Sequence, residues 1–193
     1  MRTAGRVSDA ARAAGYAVLR RAPRTRLAVR HAYWALQKRK YDALAKSIAT
    51  EARTVLFEAY GGRSYACSPK ALYQEMLGDE RFAGCELVWA FREGAVPSDE
   101  PDLEHATIVK RGSSAYFETL ARAGCIVVNN RLPEYVYPKD DQVYVQCWHG
   151  TPLKRLGYDV EIEMESALNT TNELAERFGM DARKWTHLLS PSP

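Results

Sequence analysis

The chain has 193 residues, of which 46% are hydrophobic and 26% are charged, and its net charge at pH 7 is +3. A chain of this length and composition can bury a core, which excludes an intrinsically disordered protein. No apolar run approaches the roughly 18 residues that a membrane-spanning helix needs, and arginines interrupt the amino-terminal apolar positions too often for a signal peptide.

The charge is unevenly distributed along the chain. Residues 1–46 contain 12 Lys or Arg and only two Asp, a net charge of +10, which leaves −7 for the remainder. This basic segment predicts two helical stretches broken near Pro23, with apolar residues among the arginines: Val18, Leu19, Leu27, Val29, Tyr33, Trp34, Leu36 and Leu44. We therefore expect residues 1–50 to form a basic amphipathic helical arm.

Three roles are open for this arm. Basic amphipathic helices bind anionic membrane surfaces, because the cationic side chains are attracted to the lipid headgroups while apolar groups enter the interface. A solvated helical hairpin packed on the domain is the structural alternative. Basic residues also suit nucleic acid, but no helix-turn-helix or RNA-binding motif is present, so we expect an anionic membrane surface and no nucleic-acid partner.

From residue 51 onward, short apolar runs alternate with helical patterns. The predicted strands are Thr54–Tyr60, Glu86–Arg92, Cys125–Asn129 and Gln142–Trp148. The predicted helices are Pro69–Leu77, with Ser68 as its cap, and Ser113–Ala123, capped by Ser113 or Ser114. This alternation predicts an α/β fold over residues 51–193, in which a Rossmann-like parallel sheet is covered on both faces.

Beyond Trp148 the pattern predicts a helix that starts at Thr151, an acidic helical stretch near Glu161–Phe178 and a further strand within Lys184–Ser190. A strand and its following loop are an unusual end for an α/β domain, so we expect the chain to be truncated. The four cysteines, Cys67, Cys85, Cys125 and Cys147, lie far apart and lack metal-ligand spacing. They predict reduced thiols, with neither a disulfide framework nor a metal site.

The most informative stretch is QVYVQCWHGTPLKRLGYD, residues 142–159. Ligands of open α/β sheets bind at the carboxyl ends of the strands, and His149 directly follows a predicted strand. Its imidazole is therefore expected in a crevice, where it could accept a proton from an attacking hydroxyl. Gly150 would permit close approach of the backbone to a ligand. A purely structural histidine would fit the same spacing.

A phosphate site is predicted one residue further along. Thr151 followed by Pro152 is typical of a helix start, where free backbone N–H groups attract anions. Lys154 and Arg155 follow one turn into that helix. Fixed positive charge beside a titratable base suits phosphoryl transfer, although Thr-Pro helix starts and surface lysines also occur without any ligand.

Other polar residues end the predicted strands. Glu58 and Tyr60 end the first strand before Gly61-Gly62, and Asn129, Asn130 and Arg131 end a later one. Glu58, Asn130 and Arg131 are therefore further candidates for substrate or phosphate binding, against the alternative of ordinary strand-to-loop turns. No constellation surrounds the remaining histidines, His31, His105 and His187.

The motif WHGTPLKRLGYD resembles the signature of the CDP-glycerol:poly(glycerophosphate) glycerophosphotransferase family of teichoic acid synthesis. Two further stretches agree in order and character: VLFEAYGGRSYACSPKALYQEM (Val55–Met76) and the strand, Asn-rich loop and aromatic-Pro segment from Gly124 to Pro152. The resemblance covers about residues 54–193. The Ser68-Pro69 pair departs from the Asn-Pro that is more usual in the family.

The resemblance implies the N-terminal, acceptor-side half of a GT-B-type transferase, with the donor-binding half absent from this chain. The family transfers glycerol phosphate from CDP-glycerol to a hydroxyl of a lipid-linked polyol-phosphate acceptor and releases CMP, without a cofactor. It implies that His149 is the general base. We accordingly expect a peripheral enzyme on the cytoplasmic face of the membrane, and no turnover by this chain alone. The alternatives are a non-catalytic acceptor- or membrane-binding module, or transfer of another polyol phosphate, such as ribitol phosphate, or of a sugar.

Overall fold

The computed structural model describes residues 23–148 and 171–189. Its helices are α1 (Pro23–Ser47), α2 (Cys67–Gly78), α3 (Ser114–Arg122) and α4 (Thr171–Ala182). Its strands are β1 (Glu51–Glu58), β2 (Glu86–Phe91), β3 (Thr107–Lys110), β4 (Ala123–Val128), β5 (Val143–Gln146) and β6 (His187–Leu188). Two short 3-10 helices, Glu80–Phe82 and Pro101–His105, precede β2 and β3.

The strands form one sheet in the order β3-β2-β1-β4-β5-β6, and every neighbouring pair is parallel. This is the strand order of a Rossmann-type sheet. β1 lies at the centre, where Val55 pairs with Leu87 on one side and with Cys125 on the other. The predicted α/β fold with a parallel sheet is therefore confirmed.

Apolar cores cover both faces of the sheet, which explains why β2, β4 and the buried second half of β1 consist mostly of apolar residues. Because side chains alternate between the faces of a strand, neighbouring residues enter different cores. One core contains Leu56, Val88, Ile126 and Tyr144 together with residues of α1 and α3. The other contains Phe57, Trp89 and Val127 together with Tyr73 of α2.

Helix α1 is tied to the domain by its carboxyl-terminal half. Tyr41 and Ala45 are buried in the core beside α3, and the Tyr41 ring meets Phe117 edge-on at 6.4 Å between centroids. On the other side of the helix, apolar residues remain at least half exposed: Val29, Tyr33 and Leu36. We call these three residues the α1 apolar stripe, because spacings of four and three residues place them along one helix face. No described helix is long and apolar enough to cross a membrane.

The observed boundaries correct several details. β1 begins at Glu51 and ends at Glu58, so Tyr60 belongs to the loop. β3 was not predicted, because its TIVK is a short edge strand with only one buried residue. α2 begins at Cys67, which puts Ser68 inside the helix; the predicted Ser68 cap is therefore wrong, and Ala66 occupies the cap position. The Ser113 cap of α3 is confirmed by its hydrogen bond from Tyr116 N.

The remaining predicted elements lie at or beyond the described ends. α1 begins at Pro23, where the sequence predicts a break, and the stretch before it is outside the described residues. The predicted acidic helix corresponds in its described part to α4. The last predicted strand is confirmed as the two-residue β6.

Candidate functional site

A cleft opens at the carboxyl ends of β1, β4 and β5. After β1 the chain builds the sheet outward on one side with β2 and β3, and it then returns to place β4 on the other side of β1. Open α/β sheets bind ligands at the point where the strand order reverses in this way. The cleft has a volume of about 330 Å³ and is lined by aromatic, amide and charged residues: Tyr60, Arg63, Asn129, Asn130, Arg131, Gln146, Trp148, Phe178, Asp181 and Trp185.

The loop after β1 forms one wall of this cleft. Tyr60, Gly61 and Gly62 have φ values of 50°, 67° and 76°, so the chain turns back sharply. Gly62 is closely packed, because a Cβ atom there would lie 3.0 Å from Arg92 N. Its carbonyl accepts a hydrogen bond of 2.6 Å from that same nitrogen. The Tyr60 backbone N–H donates to Asn129 Oδ1 at 2.7 Å, which joins this wall to the end of β4.

The opposite wall is organised by the buried amide of Gln146, at the end of β5. Its Nε2 donates to the Asn130 carbonyl at 3.1 Å, and its Oε1 accepts from Trp148 N at the same distance. The Asn130 side chain is used locally, since its Oδ1 accepts from Arg131 N at 2.8 Å. A polar residue within a predicted buried strand was a usable signal that Gln146 has a structural or binding role.

The guanidinium of Arg131 lies in the cleft and has no carboxylate partner among residues 23–148 and 171–189. Phe178 lies 4.8 Å from it at the ring centroid, a cation–π contact that covers one face. Nη1 is buried and has no hydrogen-bond partner among the described residues. Burial, followed by the nearby Arg177 charge, lowers the Arg131 pKa. Arg177 is itself neutralised, because it forms an ion pair with Glu134.

An acidic group closes the same cleft from α4. Asp181 is only 3% exposed, and its Oδ2 accepts a hydrogen bond of 3.1 Å from Trp185 Nε1. Its Oδ1 has no partner within residues 23–148 and 171–189. Burial raises the Asp181 pKa, although the positive charges of Lys184 and Arg131 partly oppose this. Asp181, Phe178 and Trp185 were not predicted as site residues, since only tertiary packing brings α4 and the residues after it to the strand ends.

Lys184 is buried beside Asp181 but is directed to other acceptors. Its Nζ donates to the carbonyls of Pro133 and Glu134 at 3.1 and 3.2 Å and lies 4.7 Å from the Tyr137 ring centroid. Burial lowers its pKa to about 8. The lysine therefore anchors α4 to the loop after β4, and it does not satisfy the free oxygen of Asp181.

Glu58 occupies a different environment from the other candidates. Its carboxylate is 1% exposed and accepts hydrogen bonds from Arg111 Nε at 2.9 Å and from the Tyr116 hydroxyl at 3.0 Å. It is absent from the cleft lining, whereas Asn130 and Arg131 are both present. In this arrangement Glu58 joins the end of β1 to α3, which is a structural contact.

The other predicted site residues, His149, Gly150, Thr151, Lys154 and Arg155, fall outside the described residues. Trp148, the residue that precedes them in the sequence, lines the cleft. Within the described ranges, no group of three or more His, Cys, Asp or Glu could hold a metal ion. The described cleft therefore offers aromatic walls, two arginines that form no ion pair with the described residues, Arg63 and Arg131, and one carboxylate oxygen that lacks a donor.

Comparison with known proteins shows that this chain is similar to glycerophosphotransferases of teichoic acid synthesis. The family model described as CDP-glycerol:poly(glycerophosphate) glycerophosphotransferase matches residues 41–193. The teichoic acid poly(glycerol phosphate) polymerase of Staphylococcus epidermidis is 33% identical over 155 residues, which are 79% of this chain and 20% of the polymerase. The teichoic acid glycerol-phosphate transferase of Staphylococcus aureus is 30% identical over 139 residues, which are 72% of this chain and 34% of that protein. The chain thus spans only about a fifth to a third of these curated relatives.

Solved structures give the same result. The wall teichoic acid polymerase TagF matches with a TM-score of 0.63 and 33% identity, over 74% of this chain and 33% of that one. A TagF variant soaked with CDPG matches equally well, with 32% identity. The likeness confirms the predicted fold class, a Rossmann-like sheet that corresponds to the N-terminal half of a GT-B-like enzyme.

Proposed function

The chain belongs to the CDP-glycerol:poly(glycerophosphate) glycerophosphotransferase family, and on that premise we propose that it supplies the acceptor side of such an enzyme. The reaction is transfer of glycerol phosphate from CDP-glycerol to a hydroxyl of a lipid-linked, teichoic-acid-type acceptor. The observation that carries the proposal is the cleft itself. It lies at the ligand-binding edge of the sheet and contains Trp148, the first residue of the family motif.

In this reaction His149 acts as the general base. The acceptor hydroxyl oxygen attacks the β-phosphorus of CDP-glycerol and forms the new O–P bond while its proton passes to the imidazole. The bond from that phosphorus to the bridging oxygen breaks, and CMP leaves with the electron pair. Backbone N–H groups at Gly150 and Thr151, with Lys154 and Arg155, stabilise the phosphate oxygens. The donor is held mainly by a second half beyond this chain, so we expect the 193-residue chain alone not to turn over.

We also propose peripheral association with the cytoplasmic face of the membrane, where a lipid-linked acceptor would be reached. The α1 apolar stripe supports this, because three exposed apolar side chains lie on one face of a helix that also carries basic residues. Apolar groups enter the lipid interface, while Lys and Arg are attracted to anionic headgroups.

The deciding experiment measures CMP release from CDP-glycerol and a lipid-linked acceptor by the full-length product of the gene encoding this chain. We expect the His149→Ala variant to lose at least roughly 100-fold in rate, the usual effect of removing a general base. His105→Ala is the matched control, since this exposed histidine lies in a 3-10 helix that precedes β3, away from the cleft. Near-normal release by His149→Ala would exclude the assigned base, and no release by the unmodified protein would favour a non-catalytic acceptor-binding module or another donor.

A further inference from the structure

We propose that the cleft is a subsite for one polyol phosphodiester unit of the acceptor, in which Arg131 binds the phosphate and the Asp181 carboxylate accepts a hydrogen bond from a polyol hydroxyl. This assignment rests on the proposed function. It specifies which part of the acceptor is recognised, which residues recognise it and why a hydroxylated ligand is preferred.

The case for a bound anion starts from Arg131. Withdrawing a charge from water is costly unless it is paired and hydrogen-bonded; this guanidinium is partly buried, its Nη1 has no hydrogen-bond partner and it forms no ion pair with the described residues. A neighbouring cation, Arg177, is already paired with Glu134. Two arginines of the cleft form no ion pair with the described residues, and of these Arg63 is exposed whereas Arg131 is partly buried. A guanidinium with a free N–H group is well suited to phosphate oxygens, since it can donate two parallel hydrogen bonds.

The case for a hydroxyl starts from Asp181. An ionised carboxylate can only accept hydrogen bonds, and a buried acceptor without a donor costs free energy. Trp185 satisfies Oδ2, and Lys184 donates to two backbone carbonyls, so Oδ1 is left without a donor in the described part of the chain. A ligand hydroxyl would supply the missing donor.

The two groups are close enough to act on one small ligand. Both line the same cleft, and each charge shifts the pKa of the other. Trp148 and Trp185 also line it, which gives apolar surface for the carbon chain of a polyol. The volume of about 330 Å³ lies at the small end of ligand sites, which span about 300–1,000 Å³.

The carboxylate also restricts which phosphate can bind. A negative charge beside Arg131 opposes a dianionic phosphate more than a monoanionic diester. The hydroxyl that donates a hydrogen bond to Asp181 must then belong to the alcohol portion of that diester. Inorganic phosphate is not a monoanionic diester, and simple alkyl phosphodiesters have no hydroxyl. A phosphodiester of glycerol has both the single negative charge and the hydroxyls.

The test compares two soluble monoanionic diesters on the 193-residue chain: glycerophosphoglycerol, which carries hydroxyls, and diethyl phosphate, which does not. Binding is followed by NMR titration of the Trp185 indole N–H, which reports directly on the Asp181 carboxylate. We expect the unmodified chain to bind glycerophosphoglycerol at least roughly tenfold more tightly, the effect of one hydrogen bond to a charged group.

Two variants separate the roles. Arg131→Gln should weaken both diesters at least roughly tenfold, because it removes the charge-assisted hydrogen bonds. In Asp181→Asn the amide oxygen must accept from Trp185, which turns the NH₂ group towards the cleft, so the preference for glycerophosphoglycerol should fall, because a neutral NH₂ group bonds a hydroxyl less strongly than a carboxylate does. Arg81→Gln is the charge-matched control, since Arg81 is exposed and paired with Asp79 near the start of β2, at the opposite edge of the sheet.

Equal binding of the two diesters by the unmodified chain, binding of neither, or an unchanged preference in Asp181→Asn would overturn the subsite. The ligand comparison on the unmodified chain is decisive even if Asp181→Asn does not fold. CMP release by the full-length protein keeps the two proposals apart. CMP release without a preference between the diesters would contradict only the proposed subsite. A preference without CMP release would contradict only the proposed transferase activity.

Discussion

The backbone N–H of Tyr60 donates a hydrogen bond of 2.7 Å to the side chain of Asn129 across the two central strands. Tyr60 follows β1 and Asn129 follows β4, so this bond links the two loops that form the cleft. Asn129 is 1% exposed, and its role is therefore to hold the walls of the cleft in position.

Replacement of Asn129 by Ala should lower the free energy of unfolding by about 1–3 kcal/mol, because the Tyr60 N–H loses its acceptor. Urea denaturation measures this. Gln74→Ala is the control, since this exposed amide donates to the Asp102 carboxylate at the surface and its loss should change stability by less than about 0.5 kcal/mol. Equal effects of the two variants would contradict a special role for the bond between the loops.

Three glycine-to-alanine variants test the turn after β1. Gly62→Ala combines a positive φ of 76° with close contact to Arg92 N and should cost about 1–3 kcal/mol or more. Gly112→Ala has a φ of 83° in open space, so it should lose only the conformational part, about 1 kcal/mol. Gly78→Ala, in open space at the end of α2, should be neutral or up to about 1 kcal/mol more stable. Chemical denaturation should show the lowest free energy of unfolding for Gly62→Ala, then Gly112→Ala, then Gly78→Ala. Any other order would contradict the close packing at Gly62.

Lys184 predicts a specific pH dependence of stability. Its folded-state pKa is lowered by burial from 10.5 to about 8, so the unfolded state binds more protons between these pH values. The contribution of this residue to stability should therefore rise with pH between about 8 and 10.5, by roughly 3 kcal/mol in all. The difference between the unmodified chain and Lys184→Met, measured by denaturation at pH 7 and pH 10, should show this rise. The same comparison with Lys46→Met, an exposed site on α1, should not.

The α1 apolar stripe predicts binding to anionic vesicles. The double variant Val29→Gln, Leu36→Gln should reduce co-sedimentation at least roughly tenfold, because it removes two side chains that would enter the interface. Deletion of the whole arm would be a poorer test, since Tyr41 and Ala45 belong to the core. Leu188→Gln, an equally exposed leucine on the edge strand β6, should leave binding unchanged. Equal loss in both variants would indicate non-specific adhesion.

The fold could be predicted in outline because its central strands are buried on both faces and therefore read as apolar runs between turn residues. β3 could not, since an edge strand with a single buried residue has no such pattern. The start of α2 was misjudged because Ser68-Pro69 is typical of a helix start, while the tertiary structure begins the helix one residue before the serine.

The candidate site was only partly predictable. Asn130 and Arg131 follow a recognisable strand, so their presence in the cleft was expected. Asp181 and Trp185 reach it only because α4 packs across the strand ends, and no local pattern encodes that contact. Glu58 shows the opposite case: its position at a strand end suggested the cleft, but its Oε2 is paired with Arg111 and the residue is absent from the cleft lining.

The separation of Tyr60 and Asn129 by 69 residues in the sequence also bears on the order of assembly. While the chain is being synthesised, β1 can pair with β2, and β2 with β3, before β4 has emerged, yet the wall formed by Asn129 and its neighbours requires β4. Contacts of such long sequence separation form late and slowly. Ligand recognition is therefore acquired at the final stage of folding, and a nascent chain that has completed one side of its sheet has not yet begun to acquire a binding site.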